Sequence, residues 1–352
     1  MLQRLLSGAI GSALLIPTLA GAQTQRVSLD GRDVAIYNLV GTMTVEGGSG
    51  GSVVVEVTRA GADAARLTVA TNEVRGRPSL RVLYPDDHIV YPQLGSRGRS
   101  SFSVNDDGTF GDDHGDGWRG RHRQVEVRSS GSGLEAHADL HVIVPKGKSV
   151  FVRSGVGETT IQNVDGTLDV SVAASKVRAS HVRGRLVLET GSGGVEVNDF
   201  TGDLTLDSGS GGATLDGVRG GAAHLDIGSG SLHGSSLDVT ELVADVGSGG
   251  VRLAGVKTPT LRLDTGSGSS DVELLSAIDV IEVDAGSGGV TLRLPASTGA
   301  RVDVETGSGG IDTDFEVKVA RLERRALHGT IGDGHGRIHI QSGSGSVRLL
   351  KH

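Results

Sequence analysis

The 352-residue chain has no cysteine, 7 prolines, 2 methionines and only 3% aromatic residues. Without cysteine there is neither a disulfide staple nor a thiol nucleophile, so stability must come from packing and backbone pairing. So few rings argue against a large aromatic-lined catalytic cleft. Basic runs are missing as well. Against 34 Lys+Arg stand 42 Asp+Glu, a formal net charge of -8, which suits neither nucleic acid nor an anionic membrane surface. Beyond the N-terminus no apolar stretch is long enough to span a bilayer. The excess lies in glycine: 57 residues, more than twice the roughly 7% share of an average protein. Collagen would need glycine at every third position and abundant proline, and neither is present. An all-β chain with many tight corners fits instead.

The first residues read as a cleavable export signal. Arg4 supplies a positive start, Leu5 to Leu19 an apolar stretch, and Ala20-Gly21-Ala22 the small residues that precede a cut before Gln23. The expectation is a secreted or periplasmic protein with no transmembrane span after cleavage.

One phrase recurs along the chain, Gly191-Ser192-Gly193 followed by Val195-Glu196-Val197. It returns at Gly209, Gly228, Gly247, Gly266, Gly286, Gly307 and Gly343, with degenerate copies at Gly155 and Ala173. The steps between copies are 18 to 21 residues, except for a final step of 36 that holds an insertion between Ile311 and Ser342. A fixed period near 20 residues means a solenoid. Alternating runs flank each corner, such as Leu204-Thr205-Leu206-Asp207 before and Val251-Arg252-Leu253 after. Alternation with period two is a strand with one buried face. The glycine corner fits a turn that needs positive φ or close backbone approach. A second corner, often with glycine (Gly166, Gly184, Gly202), closes each coil.

The predicted fold is therefore a parallel β-solenoid of about ten coils of 18–21 residues, a rod about 50 Å long at the usual strand spacing. Residues 1–22 read as the signal peptide, 23–75 as an N-terminal β segment, 76–124 as a Gly/Asp/Arg-rich loop insertion and 125–352 as the solenoid. Ser96 to Arg123 reads as a mobile loop. Ala60 to Ala70 reads as a short helix or a wide loop, and Val319 to Leu327 as helix or strand.

This layout resembles the bacterial "putative adhesin" family of β-solenoid domains, a family of unknown function. The resemblance rests on the strand-Gly-Ser-Gly-strand phrase and on Val144-Pro145-Lys146-Gly147 leading into the first coil. It also rests on Leu294-Pro295 followed by Gly307-Ser308-Gly309, and on the closing Leu327-His328-Gly329-Thr330-Ile331-Gly332. It covers roughly 125–350, and 30–75 less fully. It implies an exported or envelope-associated, non-enzymatic domain and brings no catalytic residues with it.

The sharpest chemical regularity is an acid two residues before each corner: Glu189, Asp207, Asp226, Asp245, Asp264, Asp284 and Glu305. The column after the corner is mixed: Glu196, Thr214, His233, Arg252, Thr291 and Asp312. Stacked carboxylates about 5 Å apart repel by somewhat under 1 kcal/mol per pair in water, so something must offset the repulsion. Turn N–H groups could do so locally, Ca²⁺ could bridge the ladder, or a cationic polymer or partner surface could neutralise it. Asp106, Asp107, Asp112, Asp113 and Asp116 lack EF-hand spacing and read as a solvated loop. His137, Asp139 and His141 alternate on one strand face and read as exposed polar positions rather than a zinc edge; so do His335 and His339. No Gly-x-Ser-x-Gly elbow or His-Glu-x-x-His occurs, and the glycine loops lead into strands rather than phosphate-binding helices. Trp118, the only tryptophan, sits in the acidic loop. No residue is assigned to catalysis, to a cofactor or to a metal.

The sequence thus predicts an exported, non-enzymatic β-solenoid with a structural, adhesive or binding role at the cell envelope and an unidentified envelope or extracellular ligand. The alternatives are a polysaccharide-active β-helix enzyme and a calcium-stiffened β-roll. A partner expectation comes from the C-terminus. Gly343 to His352 ends on a strand without an evident cap, and an uncapped solenoid edge is a template for end-to-end self-association.

Overall fold

Alternation and glycine corners produce two long sheets lying back to back. The computed structural model describes residues 23–95, 98–111 and 122–352. In each coil a longer strand, such as Thr201–Ser208, enters the glycine corner, and a shorter one, such as Ala213–Asp216, leaves it. Longer strands stack in parallel into a 16-stranded sheet and shorter ones into a 14-stranded sheet. The cross-section is therefore two-sided. Inward positions are small branched residues with almost no exposure, among them Leu186, Leu204, Leu242 and Leu261 in the long-strand sheet and Val195, Leu232 and Val251 opposite. A single coil cannot bury this stripe alone, so each coil's stability is shared with its neighbours.

The glycine corners follow from close approach more than from φ. A Cβ on Gly211, Gly249, Gly268 or Gly288 would sit 1.7–1.8 Å from the carbonyl oxygen of the equivalent glycine one coil earlier. At the next position the contact relaxes to 3.5 Å at Gly250. That is why Ser231, Ser269 and Ser346 can stand there instead. The residue before the corner is a buried hydroxyl in most coils, and Ser208, Thr306 and Ser342 donate to the carbonyls of Gly211, Gly309 and Gly345 at 2.7–3.0 Å.

The N-terminal segment belongs to the same stack. Asp33–Val40 pairs in parallel with Ser149–Val156, and Met43–Gly48 with Thr159–Gln162, so residues 33–48 form one further coil. Gln23–Leu29, Val53–Ala60 and His137–Pro145 extend the short-strand sheet beyond it. The stretch expected to be a loop insertion is partly ordered sheet. Arg77–Leu83 joins the long-strand sheet, while His88–Val90, Arg99–Asn105 and His122–Arg128 make a separate three-stranded sheet. Phe102, Val104, Val125 and Val127 are buried on it, which explains why this segment pairs despite its charge. Residues 60–70 hold only a 3₁₀ turn at Ala64–Arg66. The signal stretch and residues 112–121, with Asp112, Asp113, Asp116 and Trp118, lie outside the described residues.

The C-terminal end departs from sequence order. Gly336–Ser342 and Val347–Lys351 slide between the coil at 280–294 and the coil at 300–313. The inserted Val317–Glu323 and Ala326–Ile331 form a hairpin, not a helix, that adds antiparallel to Ala300–Thr306. Val347–Leu349 is therefore paired on both sides, so the C-terminal strand is not the free edge that end-to-end association was expected to use. The edges at this end are the three-residue Ile311–Thr313 and the hairpin strand, which exposes Lys318, Arg321 and Glu323 beside Val319. Short length and charge both discourage strand addition.

Candidate binding faces

The outer surface of the long-strand sheet carries the acid ladder, and its register is real. Glu189 faces Asp207, which faces Asp226, then Asp245, Asp264 and Asp284. Gln341 of the interposed C-terminal coil then separates Asp284 from Glu305. The run is thus six acids, a glutamine and a final acid rather than seven in succession.

The local explanation for the ladder fails. Corner N–H groups are already spent on the coil before: Gly209 donates to Thr190 O, Gly228 to Ser208 O, Gly247 to Ile227 O and Gly266 to Val246 O, at 2.8–3.1 Å. Among the described residues none of the seven acids accepts a corner N–H or joins an ion pair. The consequence shows at Asp264. Burial, together with the Asp245 and Asp284 carboxylates one coil to either side, holds its carboxyl above the ordinary value. The cations nearby serve the adjacent column, where Arg262 Nε lies 3.0 Å from Glu282 and its other end reaches Glu241. Asp245, Arg262, Asp264, Glu282, Asp284, His339 and Gln341 surround an open depression of about 340 Å³.

The short-strand face is organised differently. Its outward column runs Arg178, Glu196, Thr214, His233, Arg252, Asp271, Thr291, Arg348 and Asp312, with signs mixed along its length. Asp271 and Arg348 were not among the residues read from the repeat. Glu196 is paired by Lys176 and by Arg178, Arg178 also pairs Glu158, and Arg293 pairs Asp271. The hydrogen bond from Lys176, with Arg178 reinforcing it, holds Glu196 below its ordinary value. A polar trough of about 530 Å³ runs past His233, Arg252, Asp271 and Arg348.

The other sequence candidates do not gather into one common site, although His137 Nε2 lies 3.8 Å from Asp139 Oδ2. Asp139 accepts from the Thr42 backbone N–H and hydroxyl at 2.8 and 2.7 Å, His137 packs on the Tyr91 ring, and His141 lies between Glu46 and Glu56. Asp107 accepts from Thr109 and lies 3.5 Å from buried Arg81. His335 is exposed, 4.0 Å from Asp279. His339 lies 3.6 Å from Asp303, which itself clusters with His328 and Glu305. Repeat reading missed that cluster because Asp303 lies outside the acid column and His328 comes from the insertion.

A family model described as Toastrack DUF4097 matches residues 119–350, about two thirds of the chain. No curated protein matches the sequence. Among solved structures, one described as a "putative cell adhesion protein" from Clostridium sporogenes aligns over 94% of this chain and 100% of its own, at 11% identity. Its TM-score of 0.19 is too low to carry an argument.

Proposed function

The chain belongs to the Toastrack DUF4097 family, and from that premise we propose an exported, non-enzymatic β-solenoid that binds or adheres at the bacterial cell envelope. The ladder face is its contact surface, and the partner is a cationic polymer or a basic protein surface with charges repeating near the coil pitch. One observation carries this reading: six carboxylates stand in register with neither a corner N–H nor an ion pair to offset them. A multivalent cationic partner supplies that offset, with attraction that long-range steering extends and salt screens. Export is supported by the N-terminal signal pattern, and a chain without cysteine needs no oxidative pairing outside the cell. Among the described residues no helix is long and apolar enough to cross a membrane, which leaves strand-based crossing untouched.

The polysaccharide-enzyme reading has less to stand on. The ladder depression is lined by no Phe, Tyr or Trp, whereas Tyr84, Phe102, Phe200 and Phe315 are buried inside.

The test is binding of the full chain to isolated envelope fractions and to polylysine, beside a variant carrying Asp226→Asn, Asp245→Asn and Asp264→Asn. Salt-sensitive binding that the variant loses supports the reading. Undiminished binding by the variant removes the ladder from the contact. A melting temperature raised by Ca²⁺ and restored by EDTA would make the ladder a calcium rail instead.

A further inference from the structure

We propose a divalent transition-metal site, best suited to Zn²⁺, formed by Asp303, Glu305, His328 and His339 where the inserted hairpin folds onto the end of the stack. The register creates it. His328 of the hairpin strand Ala326–Ile331 lies opposite Asp303 on one side, and His339 of the C-terminal coil lies opposite it on the other. Three adjacent strands thus place imidazole, carboxylate and imidazole in one outward row, and Glu305 is the next outward residue on the central strand.

The distances suit a shared ion. His328 Nδ1 lies 2.8 Å from Asp303 Oδ1, and His339 Nδ1 lies 3.6 Å from Asp303 Oδ2. Ligand atoms of Asp303, Glu305 and His328 all fall within 4.8 Å of one another. Tetrahedral zinc with bonds of about 2.1 Å spaces its ligands about 3.4 Å apart, so Asp303, Glu305 and His328 stand near that spacing, and His339, close to Asp303, must turn toward them to complete the set. A second observation points the same way. Asp303 Oδ1 is cut off from solvent and accepts no hydrogen bond, although His328 Nδ1 is so near. With the His328 proton on Nε2, the ring nitrogen and the unbonded carboxylate oxygen each keep a lone pair that a bridging ion can take.

The donors select the metal. Two imidazoles with carboxylates suit Zn²⁺ and its neighbours, whereas Ca²⁺ and Mg²⁺ take oxygen ligands throughout. The ion would join the coil at 300–313, the hairpin that covers it and the C-terminal coil slid beneath it. In a chain without disulfides, it would serve as the clip at the end of the rod.

The experiment uses the full chain stripped with EDTA and dialysed, titrated with Zn²⁺ by calorimetry and with Co²⁺ by visible absorption. His328→Ala, His339→Ala and the control His335→Ala are measured in parallel. The expected result is one Zn²⁺ per chain, a tetrahedral Co²⁺ spectrum and a melting temperature raised by Zn²⁺. His328→Ala and His339→Ala should each weaken binding by at least ~10–100-fold, the loss that even outer-shell changes cause, while His335→Ala binds as the parent does. Circular dichroism of the metal-free variants checks that they remain folded. Should either ligand variant unfold, the stoichiometry and Co²⁺ spectrum of the parent decide alone. Absence of saturable binding, an octahedral Co²⁺ spectrum, or unchanged affinity in a folded His328→Ala variant would overturn the site.

Discussion

The two outer faces share one backbone pitch and one set of glycine corners, yet they handle charge in opposite ways. On the short-strand face Glu196 is flanked by Lys176 and Arg178, and its carboxyl is held below the ordinary value. On the long-strand face Asp264 is flanked by Asp245 and Asp284, and its carboxyl is held above it. Stacking at about 4.8 Å makes each residue's neighbour its counterpart one coil away, so a column amplifies whatever sign its repeat position carries. A mixed column neutralises itself, and a uniform one leaves its repulsion to solvent, counter-ions or the proposed partner.

The largest predicted effect removes both faces together. Gly249→Val places side-chain atoms where a Cβ would already lie 1.8 Å from Gly230 O, and no rotamer avoids a backbone clash. We expect a loss above ~4 kcal/mol, the range of severe core disruption, read as failure to fold or a collapse of the melting temperature. Gly250→Ser, one residue on, should cost well under that, since serine already occupies the position in other coils. Next comes Leu263→Ala, which empties a buried inward position shared by coils on either side. A cost of about 2–5 kcal/mol is expected from denaturant titration.

The smallest effects separate the faces by sign. Asp264 has a raised folded value, so the native state binds its proton more tightly than the unfolded chain does. Its contribution is favourable below the unfolded value and is lost as pH rises through the folded one. Asp264→Asn should therefore stabilise the protein at neutral pH by a few tenths of a kcal/mol, given solvent screening, and the gain should vanish in acid. Glu196 has a lowered value, so its contribution is present above the unfolded value and fades as pH falls through the folded one. Glu196→Gln should destabilise at neutral pH by a similarly small amount. Paired thermal melts at neutral and acid pH check both signs.

The repeat, the strand alternation, the two corners and the acid column were all legible in the sequence, because each is local to one coil. What was not legible depends on which coil meets which. Residues 33–48 join the stack through Gly41, which lacks the Gly-Ser-Gly phrase, although a Cβ on Gly157 would meet Gly41 O at 2.0 Å. The 36-residue step from Gly307 to Gly343 marked the insertion, but periodicity cannot say that the last coil enters beneath the one preceding it. The same reordering inserts Gln341 into the ladder and brings His339 beside Asp303. The pairing of ladder carboxylates with corner N–H groups was a reasonable expectation for an isolated turn. It fails because, in a stack, the neighbouring coil's carbonyls take those donors first.

The central claim is that the ladder face, not its opposite, meets the partner. Its most direct test is salt-dependent polylysine binding by three proteins: the parent, the Asp226→Asn/Asp245→Asn/Asp264→Asn variant, and a Glu196→Gln/Asp271→Asn variant of the other face. At about 0.5 kcal/mol per partly exposed charge, the ladder variant should bind about tenfold more weakly with a shallower salt slope. The opposite-face variant should bind as the parent does. Equal losses from both faces, or none from the ladder, would contradict the account.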